Sequence, residues 1–339
     1  METPNLTTIR DASFSDILGQ EQTKRQLKSA WLMARHVIIV GAPGIGKTTI
    51  ARNLARLLPE VLVNDCEYHC DPAKPLCPAC KTAKKKVGTK KIGGVERFVR
   101  IQGSPDLTVE DLLGDIDPVK ALTYGPMSME AFTPGKIFRA NNGILFFDEV
   151  NRCPEKLQNS LLQVLAEGRA TLGSYTVDLP ADFMFIGTMN PEDTSTEKLS
   201  DVFLDRFDVV EMGYPESLEI EKKIILGVGK KLEVTFPEEL LSHAILFVRL
   251  LRESKDLERK PSVRASLGLY ERAQANAVLS KKKTVTQEDI DEAIVSVISH
   301  RIQLKPSVRY LQTPEQFVRN QFKAFSADEA ERQDRGGGL

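Results

Sequence analysis

The chain has 339 residues, 41% hydrophobic and 27% charged, enough apolar material for a sizeable core and most simply two domains. With 46 basic against 47 acidic residues the net charge is −1, which excludes a global pull toward nucleic acid or anionic membrane and confines any basic surface to a local patch. No run approaches the roughly 18 consecutive apolar residues of a membrane span, and "METPNLTTIRDASFSD" lacks the charged-then-apolar order of a secretory leader, so a cytoplasmic protein is expected, without membrane contact, whose thiols stay free or bind metal.

In chain order, "FSDILGQEQTKRQLKSAWLMA" carries apolar residues at helical spacing, and "HVIIV" (36–40) reads as a buried strand running into glycine. "KTTIARNLARLL" (47–58) restores the helical period before Pro59. Further short apolar runs at "VLV" (61–63), "FVRIQ" (98–102), "ILFF" (144–147), "FMFIG" (183–187) and "DVVEM" (208–212) alternate with helical or loop segments, which predicts an α/β fold with a mostly parallel sheet between helices. Residues 64–97 and 103–136 interrupt that alternation and read as insertions within a first domain, 1–215. From 216 to 310 the pattern is helical throughout, with Thr286 and Asp289 at capping-box spacing. Residues 311–339 end in a polar, glycine-terminated stretch expected to be a partly disordered tail.

"GAPGIGKT" (41–48) fits the phosphate-loop pattern G-x-x-x-x-G-K-[ST] and lies between a predicted strand and a predicted helix. Gly41, Gly44 and Gly46 let backbone N–H groups turn toward phosphates, Lys47 reaches the outer phosphates, and Thr48 offers a hydroxyl to Mg²⁺; Ile45 and Thr49 complete the cradle. About 100 residues further on, "GILFFDEV" places Asp148 at a strand end to hold the metal's water shell and Glu149 to polarise an attacking water. ATP and Mg²⁺ are therefore the expected substrate and cofactor.

These residues resemble the AAA+ ATPases, a P-loop core with a parallel sheet sandwiched by helices and a C-terminal all-helical lid. In "FIGTMNP" Asn190 matches the sensor-1 position, in "LDRFD" Arg206 matches the arginine finger, and in "PSVRA" Arg264 matches sensor 2. "FSDILGQEQTKRQL" is similar to the segment lining the adenine pocket, which implies base contacts from Ile17 and Leu18. Purely structural assignments exist beside these: a turn before Pro191 for Asn190, an ion pair with Asp205 or Asp208 for Arg206, and a pair with Glu271 for Arg264.

The block from "GILFFDEVN" to "FIGTMNP" looks like that of the magnesium-chelatase I-subunit and MoxR group, with 103–136 at the place of a helix-2 insert and 169–179 at that of a hairpin. The resemblance implies a hexameric ring with ATP at subunit junctions, Arg206 entering the neighbour's site, and a motor that remodels a partner subunit carrying a von Willebrand A (VWA) domain, with metal insertion into a tetrapyrrole as one outcome. A MoxR-like chaperone that matures a metalloenzyme and a nucleic-acid-dependent motor are the competing readings; no aromatic residue interleaves the lysines between 81 and 97, so nucleic acid is not the expected partner.

Cys66, Cys70, Cys77 and Cys80 read C-x₃-C-x₆-C-x₂-C, the ligand number of a closed zinc site, with His69 as a substitute ligand. An iron–sulfur cluster and four unligated thiols are the other two readings. Cys153 is expected to be a packing residue.

Overall fold

The computed structural model describes residues 6–75, 77–81, 87–126, 128–171, 178–191 and 199–336. Lys84, Lys85 and Lys86 of the basic stretch and the tip of the 169–179 hairpin lie outside them. By its described residues the chain divides into two compact units, one within Met1–Gly41 and Gly46–Met212, the other within Ala42–Ile45 and Gly213–Leu339.

The first unit is built on five parallel strands: β1 (Val37–Val40), β2 (Phe98–Gln102), β3 (Ile144–Asp148), β4 (Met184–Met189) and β5 (Asp208–Glu211), in the order β5-β1-β4-β3-β2. β1, β3 and β4 are apolar and buried along nearly their whole length, as strands covered on both faces must be. Helices α1 (Glu21–Leu32), α2 (Lys47–Arg56) and α3 (Glu155–Glu167) flank the sheet. Between α3 and the sheet the core gathers Leu157, Leu161, Leu145, Phe147, Phe185 and Phe203. The α/β reading with a parallel sheet is therefore correct, and the run order of "FVRIQ", "ILFF", "FMFIG" and "DVVEM" is that of β2 to β5.

One strand expectation fails in its partner. Val61–Asn64 is extended, but it pairs antiparallel with Thr89–Ile92 in a separate hairpin. A run of three apolar residues carries no information about which amides it will meet, and the return segment of the insert is the nearest supply. The second insert is also ordered: Gly114–Ile116 pairs with Phe132–Pro134, flanked by short helices at Val109–Leu113 and Pro118–Tyr124. Arg169–Thr171 and Asp178–Pro180 form the antiparallel pair of the 169–179 hairpin.

The second unit holds α4 (Leu218–Val228), α5 (Glu238–Glu253), α6 (Val263–Leu279), α7 (Gln287–Ile298) and α8 (Pro314–Gly336). α7 opens on the capping box, with Asp289 accepting from the Thr286 amide at 2.8 Å. Phe247, Leu269, Ala273, Ile294 and Val297 form its core. α8 corrects the expectation of a tail from 311: Phe317, Val318 and Phe322 are buried in that same core. Three apolar anchors are enough to dock a helix whose overall composition is polar, and composition was the signal that misled.

Candidate nucleotide site

β1 runs into the glycine turn, and the Gly41 amide donates to the Met189 carbonyl at the end of β4 at 3.1 Å. Gly46 has φ +103°, a conformation that favours glycine, and a β-carbon there would lie 3.2 Å from Ile17 Cδ1 and 3.5 Å from Met212 Cε. Ile17 thus stands against the turn, while Leu18 beside it is 38% exposed. Met212 is a wall residue that the motifs did not disclose. α2 begins at Lys47 behind Gly46 with no side-chain cap, the kind of helix start whose backbone N–H groups and dipole suit an anion. Lys47 is buried, and its Nζ donates to the Gly41 carbonyl at 2.5 Å, folded back over the turn. Thr48 and Thr49 follow in the first turn, Thr48 half-buried and Thr49 exposed.

The acid pair stands at the carboxyl end of β3. Thr188 on β4 ties both acids: its hydroxyl donates to Asp148 Oδ1 at 2.6 Å and accepts the Glu149 amide at 2.9 Å. Arg100 donates to Asp148 Oδ2 at 2.6 Å, Gln102 to Glu149 Oε2 at 2.9 Å, and Arg152 lies 3.3 Å from Glu149 Oε2. The register that pairs Gln102 with Asp148 brings these β2 side chains into reach. Glu149 adopts φ +55°, and the chain beside it leaves no room, since a β-carbon on Gly103 would stand 2.1 Å from the Glu149 carbonyl oxygen. The Gly103 amide donates to the Asp148 carbonyl at 2.7 Å, so the strand end holds Glu149 in its uncommon backbone conformation, of the kind that gathers at functional sites.

Asn190 follows β4 directly. Arg206 is exposed after the short helix Asp201–Leu204 and donates to the Val202 carbonyl at 2.9 Å; Asp208, one of its suggested ion-pair partners, is taken by Arg35 at 2.8 Å.

In the second unit Gly44 has φ +78°, and a β-carbon there would lie 2.8 Å from both Cγ and Nε of Arg264. The Arg264 side chain therefore lies against Gly44 at the tip of the glycine turn. Glu271 accepts the Lys230 amide at 3.0 Å. The first turn of α6, which carries Arg264, is braced from inside. Ser262 caps it, Ser266 donates to Glu221 Oε1 at 2.6 Å, and Arg252 donates to both Glu221 oxygens at 2.7 Å and to the Pro261 carbonyl at 2.9 Å. Burial, and then the Arg264 charge, hold the Arg301 guanidinium below its usual range, which marks Arg301 as a second cation near Arg264 that the motifs missed.

An uncapped helix start behind a glycine turn, a buried lysine and a strand-end acid pair form a donor set suited to a triphosphate with Mg²⁺. Away from it, the four cysteines of the insert bring their sulfur atoms within 4.8 Å of one another, a group that does not include His69. Cys153 stands apart, its thiol pushed up to about 11 by burial.

Three family models match the chain: the ATPase family associated with various cellular activities (AAA) over residues 77–209, an AAA lid domain over 250–320, and magnesium chelatase, subunit ChlI, over 13–69. Among curated proteins it is similar to a magnesium-chelatase subunit ChlI homolog of Methanocaldococcus jannaschii, 29% identical over 86% of each chain. It is 30% identical to the chloroplastic magnesium-chelatase subunit ChlI-2 of Arabidopsis thaliana, covering 86% of this chain and 76% of that one. Among solved structures it is similar to a BchI–BchD magnesium-chelatase complex, 23% identical over 88% of this chain and 98% of that one, with a TM-score of 0.48. Among the described residues no helix is long and apolar enough to cross a membrane.

Proposed function

Because the chain belongs to the magnesium-chelatase I-subunit family of AAA+ ATPases, we propose that it is a ring motor whose ATP hydrolysis remodels a partner subunit, in the service of metal insertion into a tetrapyrrole. The observation that carries the hydrolytic part is the acid pair: Asp148 and Glu149, both fixed by Thr188 at the end of β3. Family resemblance supports a hexameric ring and a partner bearing a VWA domain; of the two relatives one is named as a chelatase subunit and the other as a homolog of one.

In this reading the N–H groups of the glycine turn and the start of α2 hold the phosphates, Lys47 turns from the Gly41 carbonyl to the outer phosphate, and Ile17 with Met212 walls the base. Thr48 and Asp148 hold Mg²⁺, which when bound neutralises charge on the phosphate oxygens. Glu149 accepts the proton of the attacking water and Asn190 orients that water. Arg264 reaches the phosphates from the tip of the turn where it already lies, and the exposed Arg206 reaches a neighbouring copy's site, where a guanidinium is worth roughly 10³–10⁵ in rate in related chemistry.

Glu149→Gln retains ATP binding and loses turnover by about 10²–10⁴, while Lys47→Ala loses binding. Mixing Arg206→Ala chains with Glu149→Gln chains restores part of the turnover, because the junction at which a Glu149→Gln copy lends its Arg206 to the site of an Arg206→Ala copy has both groups intact. Full turnover in Glu149→Gln would remove its assigned role, and mixed chains as inactive as either parent would remove Arg206 from the neighbour's site. Stimulation by a VWA subunit is expected; stimulation by DNA or RNA instead would replace the chelatase reading with a nucleic-acid motor.

A further inference from the structure

Among its described residues, the insert between Val61–Asn64 and Thr89–Ile92 places few apolar side chains around its cysteines. Packed around its buried sulfurs, among the described residues, are Tyr68 and Val87. Yet Cys70 and Cys77 are almost fully buried, Cys80 is 9% exposed and Cys66 is half-buried. All four sulfurs lie within 4.8 Å of one another, and none is in a disulfide.

The backbone is already wound around them. The Cys70 amide points at Cys66 Sγ, the Cys77 amide at Cys70 Sγ and the Cys80 amide at Cys77 Sγ, each at 3.4 Å. Such N–H donors favour charge on sulfur. His69 has φ +46°, the left-handed residue that turns the chain between the first two ligands, and the short helix Pro78–Lys81 presents Cys77 and Cys80 from one turn.

We propose that Cys66, Cys70, Cys77 and Cys80 hold one zinc ion as a closed structural site. Four sulfurs about 2.3 Å from a tetrahedral zinc stand about 3.8 Å apart, which a small contraction of this group reaches. A multi-iron cluster needs its thiolates spread around a polyatomic core, wider than the spacing here. The zinc fastens more than its own loop. Tyr68, between the first two ligands, packs its ring 6.1 Å from that of Phe138, and Phe138 meets Phe132 of the second insert edge-on at 6.0 Å. Loss of the ion loosens the 65–92 segment and, through Tyr68, the seat of the 114–134 hairpin, and it leaves the glycine turn and acid pair in place.

The test is elemental analysis of the full chain, purified without chelator from zinc-supplied cells. One zinc per chain is expected, released by a mercurial thiol reagent, lost in Cys77→Ser/Cys80→Ser and kept in Cys153→Ser. Should the double variant not fold, exchange of Co²⁺ into the wild-type chain reads the same ligands through the thiolate charge-transfer and visible bands of a tetrahedral site. Zinc-stripped protein is cut by protease within 65–92 while its affinity for ATP is unchanged, so this proposal and the ATPase reading fail independently. Iron in place of zinc, two disulfides, a folded chain with no metal and no cobalt bands, or zinc retained in the double variant would each overturn it.

Discussion

In the first unit Arg100 lies 2.6 Å from Asp148 and Arg152 lies 3.3 Å from Glu149, with both arginine side chains more than two-fifths exposed. In the second unit Arg252 grips both oxygens of Glu221 at 2.7 Å, with the glutamate wholly buried and the arginine 7% exposed. The residue types are the same, and the surroundings reverse what they do. Water and ions compete at the exposed arginine ends of these pairs, while the acids are 16% and 29% exposed, so each pair is worth about 1 kcal/mol. Inside the second unit water does not reach the glutamate, so its charge rests on protein groups alone: Arg252, Ser266 and Arg249 at 3.4 Å, a group that fixes the helix start carrying Arg264.

The largest effect should come from the buried side of this comparison. Glu221→Gln leaves Arg252 without its counter-charge and costs about 3–5 kcal/mol, read as a lowered urea midpoint for the unfolding of the second unit. Nucleotide affinity falls with it as Arg264 loses its seat. A loss under about 1 kcal/mol would show that the buried pair behaves like the exposed ones, and the contrast would be gone.

Arg100→Ala and Arg152→Ala should each change stability by less than about 1 kcal/mol in denaturant melts. Their signature lies elsewhere, in the Mg²⁺ concentration needed for half-maximal turnover, which drops for Arg100→Ala because a positive competitor for Asp148 has been removed. An unchanged Mg²⁺ dependence would make Arg100 a bystander.

The smallest effect sharpens the comparison with a half-buried group that stays neutral. His36 accepts the Phe185 amide on Nδ1 at 3.1 Å, and burial first, then the Arg35 charge, hold its pKa below the usual value. Protonation is resisted in the folded chain and free in the unfolded one near pH 6.5, so this contribution is complete above that pH and is lost as pH falls from there through the lowered folded value. Denaturant melts from pH 7.5 to pH 5.5 should show that loss, and His36→Asn should flatten it.

Much of the candidate site's local geometry was legible because each part lies within one contiguous stretch. "GAPGIGKT" supplies its own turn, "ILFFDE" its own strand end, and four cysteines in fifteen positions their own knuckle. Partners across strands were not legible. Thr188 binds both acids, and Arg100 and Gln102 reach them from β2, only because of the sheet's register; the one hint was alternation, which puts 100 and 102 on one side of a strand ending beside β3. The docking of α8 escaped for a related reason, since a core position is defined by what covers it.

By itself the sequence determined the local geometry: a glycine turn between a strand and a helix, an acid pair at a strand end, and four thiols in one short segment, because short-range backbone geometry follows from residue type and spacing. Tertiary structure alone decided strand order, the hairpin made by Val61–Asn64, the braces on Asp148 and Glu149, and the seating of Arg264 over Gly44. Those contacts join segments far apart in the chain, and they are set by register and by the packing of side chains from several elements, which no single stretch encodes.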